Sequence, residues 1–258
     1  MLINTKYRYI DPSLQVKAFS HVNENEVILS KIEAASMHGQ IPIYWDKGNG
    51  VNIYDHYDNK YIDLTSGIFV SNAGHSNKYI NKAIIEAVNN GPLTTYTYIN
   101  KERVSYLQYL HQNVKNYFDK IFLMSAGTES TDAAFKLMKL GGVKNKKRKK
   151  VIISFEGCWH GRTMGAQALS FNPQQKEWMD VDFSTSILHL PFPYPWREKY
   201  KKPDSFIEDL NDLCAQHKID AEQDIAGFMI ETFQGWGALF LPKHLSLIHI
   251  SEPTRLST

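Results

Sequence analysis

From about residue 80 onward, the apolar positions of the chain alternate between two rhythms. Ile80, Ala83, Ile84, Ala87 and Val88 fall at i, i+3, i+4, i+7 and i+8, one face of an α-helix, and Gly91-Pro92 closes that run. Val104, Leu107, Leu110 and Val114 predict a second helix, and Phe206, Ile207, Leu210, Leu213 and Cys214 predict another. Between them stand short apolar runs of strand type at 121–124 (IFLM), 151–155 (VIISF) and 225–230 (IAGFMI). Helices that alternate with short buried strands predict a mostly parallel sheet with helices on both faces. The first part of the chain reads differently. Residues 1–40 are polar, with one amphipathic helix candidate over 26–37. Strand-like runs at 41–45, 51–54 and 61–64, separated by turn signals at 46–50 and 55–59, predict a small antiparallel meander. Residues 66–77 (SGIFVSNAGHSN) read as a loop. The pattern therefore predicts an α/β protein, with a small α+β segment over 1–78 ahead of a parallel-sheet domain over 79–244.

The stretch 120–140 (KIFLMSAGTESTDAAFKLMKL) organises that domain. An apolar strand at 121–124 leads into a small-residue turn at 125–128, and a helix over 129–140 is stopped by Gly141-Gly142. A strand that turns sharply into a helix aims free N–H groups and the positive end of the helix dipole at whatever sits above it. Gly127 allows close approach, and the hydroxyls of Ser125 and Thr128 can add hydrogen bonds, so the turn is a plausible phosphate seat. It reads equally as a helix cap made by Ser125 or Thr128 with nothing bound. Polar groups also follow the other two strands, at 158–162 and 231–235, and ligands of parallel α/β sheets bind at such strand ends. Trp159 offers an aromatic face to a planar cofactor, or is a half-buried ring beside a core histidine, His160. Gly161 would give close approach and Arg162 an anion contact. Glu231 is a catalytic carboxylate or an orienting group for a neighbouring cation. Gly74-His75 either lines a site or makes a turn that needs glycine.

Composition narrows the partners. Hydrophobic residues make up 43% and charged residues 22%, which is globular. With 29 Lys and Arg against 27 Asp and Glu, neither nucleic acid nor an acidic membrane is expected as the main partner. The basic run 144–150 (KNKKRKK) is read as a solvated loop in preference to a localisation or nucleic-acid patch. Two cysteines, Cys158 and Cys214, stand in no metal or redox spacing, and no run has signal-peptide or membrane-spanning character, so a cytoplasmic protein is expected. The ten histidines form no metal motif, and neither GxSxG nor a nucleotide P-loop is present. Residues 191–196 (PFPYPW) are expected to serve packing or an interface.

Four stretches together resemble a known family. WDKGNGVNIYDHYDNKYIDLTSG (45–67) with NAGHSN (72–77), SAGTES (125–130), WHGRTMG (159–165) and ETFQGWG (231–237) are similar in order and spacing to the class III aminotransferases, pyridoxal 5′-phosphate (PLP) enzymes of fold type I. The resemblance covers roughly residues 40–244. It implies a partial fold type I large domain that binds PLP, with Ser125, Gly127 and Thr128 at the cofactor phosphate and Trp159 stacked on the pyridine ring. His160 and Arg162 would support the site, and Glu231 would sit at the cofactor and substrate end. Thr232 replaces the family's usual proline, and Trp236 stands where many relatives have an acidic residue. The Schiff-base lysine and the acidic partner of the pyridine nitrogen follow the last of these blocks in the family, and no residue here matches either. Residues 245–255 (LSLIHISEPTR) resemble a translated sequencing adapter, which makes 245–258 an expected non-native tail. The resemblance thus implies the N-terminal half of an omega-amino-acid-type transaminase that moves an amino group from a small-molecule donor to a 2-oxo acid. The full-length enzyme would be a homodimer, and the 258-residue chain alone would be inactive. An aminomutase, a decarboxylating transaminase and a non-catalytic PLP or phosphate-ligand binding protein are the alternatives on the same scaffold.

Overall fold

A computed structural model describes residues 44–194 and 205–242, with isolated positions at 28, 31, 32, 196, 197 and 199. Most of the helix expected over 26–37, most of the run at 41–45 and the expected tail over 245–258 lie outside the described residues. The chain divides into two compact units, Met1–Tyr106 and Leu107–Thr258.

In the first unit, β1 (Trp45–Asn49), β2 (Asn52–Asp55) and β3 (Lys60–Ile62) form an antiparallel sheet in sequence order. The turn expected over 46–50 is instead strand. Lys47, Gly48 and Asn49 pair with Tyr54, Ile53 and Asn52, so the reversal is confined to Gly50-Val51. Gly50 supplies the positive φ (59°) that a two-residue hairpin needs, which frees its neighbours to keep pairing. Gly48 serves packing, because a Cβ there would lie 2.8 Å from that of His75. The second turn falls as expected. Buried Asp55 organises it by accepting hydrogen bonds from the amides of Tyr57 and Asn59, the Asn59 side chain and the Tyr61 hydroxyl. Gly74-His75 makes the glycine-requiring turn, with Gly74 at φ 86° and backbone bonds joining Gly50 to His75 in both directions. The His75 imidazole sits 2.7 Å from Asp63 and is the main reason that carboxyl titrates at about 2. Within the expected loop, Ser66–Phe69 closes one helical turn with positive φ at all four residues. Helix α1 (Lys78–Asn89) begins at Asn77, whose side chain accepts from the amides of Tyr79 and Ile80. Its apolar face stays uncovered by described residues: Ile80, Ile84 and Val88 are all exposed. Helix α2 (Lys101–Val114) follows.

The second unit is built on a parallel sheet of β4 (Val151–Phe155), β5 (Ile187–Leu190) and β6 (Ile225–Phe228), in the order β5-β4-β6. Every residue of β4 is buried, as a central strand covered on both faces must be. Val151, Ile153 and Phe155 face Phe206, Leu210 and Leu213 of α5 (Ser205–His217). Ile152 faces the other way, toward Phe135 and Met138 of α3 (Gly127–Lys144) and Ala168 and Leu169 of α4 (Met164–Leu169). Phe192 and Pro193 are buried, so the proline-rich loop serves packing.

Two expectations for this unit change. Residues 121–124 join no sheet: no described strand pairs with them, and Phe122 is 70% exposed. An apolar run becomes a strand only where a neighbour takes up its backbone groups. Gly141-Gly142 does not stop α3, which continues to Lys144. Gly142 is buried instead, and a Cβ there would sit 2.8 Å from that of Ala226 on β6. Gly227 answers it from the strand, where a Cβ would lie 2.7 Å from Met138 Cγ. The two glycines set a close helix–strand approach. The basic run is the exposed loop the sequence predicts, and it also acts as a clasp. The Arg148 amide donates to the Gln223 carbonyl, its guanidinium grips the buried Asp224 carboxylate through two nitrogens, and Lys149 donates to the Lys218 carbonyl at 2.6 Å. This pins the turn that leads into β6.

Candidate functional site

Helix α3 starts without a side-chain cap. Ala126 holds the capping position in extended geometry and has no side-chain acceptor to offer, while the Glu129 carboxylate folds back to the Ser125 amide at 3.0 Å. The first intrahelical bond at this end runs from the Ser130 amide to the Ala126 carbonyl. That leaves the amides of Gly127 and Thr128 pointing out of the helix start, where the dipole is positive. Nothing lies within 4 Å of a Cβ placed on Gly127, so the approach is open. The cap reading of this turn fails, and the anion-seat geometry remains.

The turn after β4 folds against that helix start. Gly161 (φ 133°) presses its Cα face onto α3, where a Cβ would overlap Thr128 Oγ1 and come within 2.7 Å of Thr128 Cβ. Thr163 Oγ1 lies 2.8 Å from Thr128 Oγ1 and donates to Asp132, and the other Asp132 oxygen accepts from the Ala166 amide in the first turn of α4 at 2.9 Å. Spacing along the chain did not single out Asp132 or Thr163. One signal was available: Asp132 stands four residues after Thr128 and so shares its helix face.

The turn after β6 joins the same place through Glu231. One of its carboxylate oxygens accepts from the Trp159 amide at 3.0 Å and the other from the Gly235 amide at 3.3 Å. Burial raises the carboxyl's pKa, and the two amides oppose that shift. Glu231 therefore ties the turns after β4 and β6 together through backbone donors, and among the described residues no cation is a hydrogen-bond partner of it. Trp236 stacks on Trp159 with centroids 5.8 Å apart and planes at 18°, and the Arg162 guanidinium lies 5.6 Å from the Trp159 ring centre. Trp236 is 75% exposed, which puts this stack at the open side. A cleft of about 270 Å³ runs beside it, lined by both indoles, Phe171 and Pro173 with Asn172 and Gln175. Gln234 is buried below, where it donates to the Glu156 carbonyl and packs on Gly157 (φ 73°).

His160 turns away from the opening. It is buried, its Nε2 lies 3.2 Å from Ser154 Oγ, and its amide donates to Ser170 Oγ at 2.8 Å. Burial, then the nearby His189, pushes its pKa down to about 4. His189 is likewise held at about 4 by burial and then Lys176, and its Nε2 sits 3.1 Å from the Leu169 carbonyl. Cys158 completes this layer, 3.2 Å from Ser154 Oγ, with burial raising its thiol pKa. Of the residues singled out from sequence, Ser125, Gly127 and Thr128 lie at the start of α3, and Trp159, Arg162 and Glu231 lie in the turns after β4 and β6. His160 supports the first of these turns from beneath as a neutral core histidine.

Comparison with known proteins adds an independent line. A class III aminotransferase family model matches residues 34–252, a span that runs past residue 244. An acetylornithine aminotransferase of Clostridium acetobutylicum is 35% identical over 153 residues, which cover 58% of this chain and 38% of the relative. A mitochondrial acetylornithine aminotransferase of Saccharomyces cerevisiae is 28% identical over 200 residues, 75% of this chain and 44% of the relative. The chain thus spans less than half the length of these relatives. Among solved structures, a Bacillus anthracis aminotransferase superposes with a TM-score of 0.73 at 18% identity, over 90% of this chain and 53% of that one. An ornithine aminotransferase from Toxoplasma gondii, whose active site holds PLP at partial occupancy, superposes with a TM-score of 0.70 at 18% identity, over 89% and 50%. The α/β architecture is accordingly that of the fold type I transaminases, and the mostly parallel sheet with helices on both faces is its partial large domain.

Proposed function

The chain belongs to the class III aminotransferase family, and from that premise we propose that its protein uses PLP to move an amino group from a small-molecule donor to a 2-oxo acid. The observation that carries this reading is the uncapped start of α3, clasped to the turn that bears Trp159. The cofactor supplies an electron sink for the amino-bearing carbon when bound. The residues present fit its phosphate end: two outward amides, an open approach at Gly127 and the positive end of an 18-residue helix. Ser125, exposed beside them, adds a hydroxyl. Trp159 offers its ring to the planar part of the cofactor, which then extends or displaces the stack with Trp236. Glu231 orients the Trp159 turn through the peptide amide, and His160 braces it from below. The cofactor-holding lysine is left unassigned, because no lysine of this chain stands in a context that matches the family's.

The donor is taken to be an amino acid or omega-amino compound, and the relatives' names make acetylornithine the first to test. We further take the working protein to be a cytoplasmic homodimer, with Cys158 and Cys214 as free thiols; no helix among the described residues is long and apolar enough to cross a membrane. The 258 residues purified alone are expected to be inactive. The test is an amino-transfer assay on the whole protein loaded with PLP, using a panel of donors with 2-oxoglutarate and pyruvate as acceptors. Transfer from at least one donor supports the reading. Saturable PLP binding without transfer from any donor would favour a non-catalytic binding protein, and turnover by the 258 residues alone would refute the expected inactivity.

A further inference from the structure

We infer that Asp132 is a positioning residue: through Thr163 it turns the Thr128 hydroxyl inward, so that backbone amides and not the Thr128 side chain hold the cofactor phosphate. This rests on the PLP reading above. Thr163 has one hydroxyl hydrogen and gives it to Asp132 Oδ2, because a carboxylate oxygen only accepts. The 2.8 Å contact between Thr163 Oγ1 and Thr128 Oγ1 must then use the hydrogen of Thr128. The Thr163 amide also reaches Thr128 Oγ1 at 3.3 Å and takes up acceptor capacity there. With its hydrogen committed inward, the Thr128 side chain has no donor left for an anion above the helix, whereas its amide does.

The rest of the local sequence serves this chain of bonds. Asp132 is fixed from its other oxygen by the Ala166 amide at 2.9 Å, at the positive end of α4. Gly161 and Gly165 are the two positions where a side chain would break it. A Cβ on Gly161 would overlap Thr128 Oγ1, and one on Gly165 would overlap Asp132 Oδ1 and lie 3.1 Å from Phe135. Two glycines thus make room for two members of one relay, and the relay locks the first turn of α3 to the turn that carries Trp159.

The test compares the whole protein with its Asp132→Asn, Thr163→Val and Thr163→Ser variants by spectral titration with PLP and with pyridoxal, which lacks the phosphate. Asp132→Asn sets an amide donor against a donor it must accept from, and is expected to weaken PLP binding by about tenfold, the scale of one charge-assisted hydrogen bond. Pyridoxal affinity is expected to move by less than about threefold, since a loss confined to the phosphate seat does not reach it. Thr163→Ser keeps the hydroxyl and should bind like the parent, and Thr163→Val should match Asp132→Asn. Should Asp132→Asn not fold, the Val and Ser pair decides the question. Equal weakening of both ligands would mean a merely structural role and overturn the inference, as would unchanged PLP binding in Asp132→Asn and Thr163→Val. A parent protein that binds PLP no better than pyridoxal overturns the phosphate-seat reading itself, and the inference with it.

Discussion

Replacing Gly161 by alanine probes the contact on which the site depends. Two costs follow from the geometry. The residue has φ 133°, a conformation that side-chain-bearing residues rarely adopt, for which about 1–3 kcal/mol is a fair scale. The new methyl would also overlap Thr128 Oγ1, lie 2.7 Å from Thr128 Cβ and 3.0 Å from Ala166 Cβ. Both Cβ atoms are fixed to helical backbone, so a side-chain rotation cannot relieve the clash, and overpacking of this kind costs about 1–3 kcal/mol. The sum, about 2–6 kcal/mol, is a large part of the roughly 5–15 kcal/mol that holds a domain together. Equilibrium urea unfolding of the purified protein measures it directly. Thr128→Ala removes the oxygen overlap and leaves the Cβ contact. In that background Gly161→Ala should therefore cost about 1 kcal/mol less, the coupling expected of neighbours. A loss below about 0.5 kcal/mol for Gly161→Ala, the size of an ordinary surface change, would refute the close packing of the 161 turn on α3.

Other consequences are open to measurement. His160 and His189 titrate at about 4 in the folded protein against about 6.5 when unfolded, so the unfolded chain binds more protons between those values. Their contribution is complete above about pH 6.5 and is lost as pH falls through about 4; melting temperatures should rise across that window, and a flat profile would contradict the burial of both rings. Glu231→Gln keeps one acceptor for the amides of Trp159 and Gly235 and turns an amide donor toward the other, a loss of about 1–3 kcal/mol visible in the same unfolding assay. Arg148→Met should destabilise by about 1 kcal/mol or more at neutral pH, because it leaves the buried Asp224 carboxylate one charged partner fewer. The folded-state pKa of Asp224 is lowered, first by the Asp220 amide and then by Arg148 and Lys149, so its ionised form stabilises above about pH 4. The cost of Arg148→Met should shrink as acid protonates the group, and an equal cost at pH 7 and pH 3 would argue against the clasp.

The parts of this fold that were legible in sequence are those with local causes. Helix α1 begins at Asn77 and ends just before Gly91-Pro92 because caps and breakers act on their immediate neighbours. The alternation of helices and buried strands carried the sheet class for a similar reason. Glycines misled where they served packing. Gly48 lies inside a strand beneath His75, and Gly142 lies inside a helix against Ala226, and both look like breaks in a one-dimensional reading. Strand β5 went unread because ILHL is short and interrupted by His189, which is only half-buried. Residues 121–124 had the composition of a strand and lacked a described partner, which no local signal reports. At the site, the polar stretches at 125–128, 158–162 and 231–235 pointed to one surface, although only the last two follow strands of the described sheet. The bond from Thr163 to Asp132, however, spans 31 residues, and His160 is held by Ser154 at its ring and by Ser170 at its backbone amide. Contacts of that kind are set by tertiary packing and leave no periodic trace.

The start of α3 is proposed to seat the phosphate of PLP. A crystal structure of the whole protein with its cofactor bound tests this most directly. Phosphate oxygens are expected at about 2.7–3.2 Å from the amide nitrogens of Gly127 and Thr128, with the Thr128 hydroxyl still turned toward Thr163. A phosphate seated away from those two amides would contradict it.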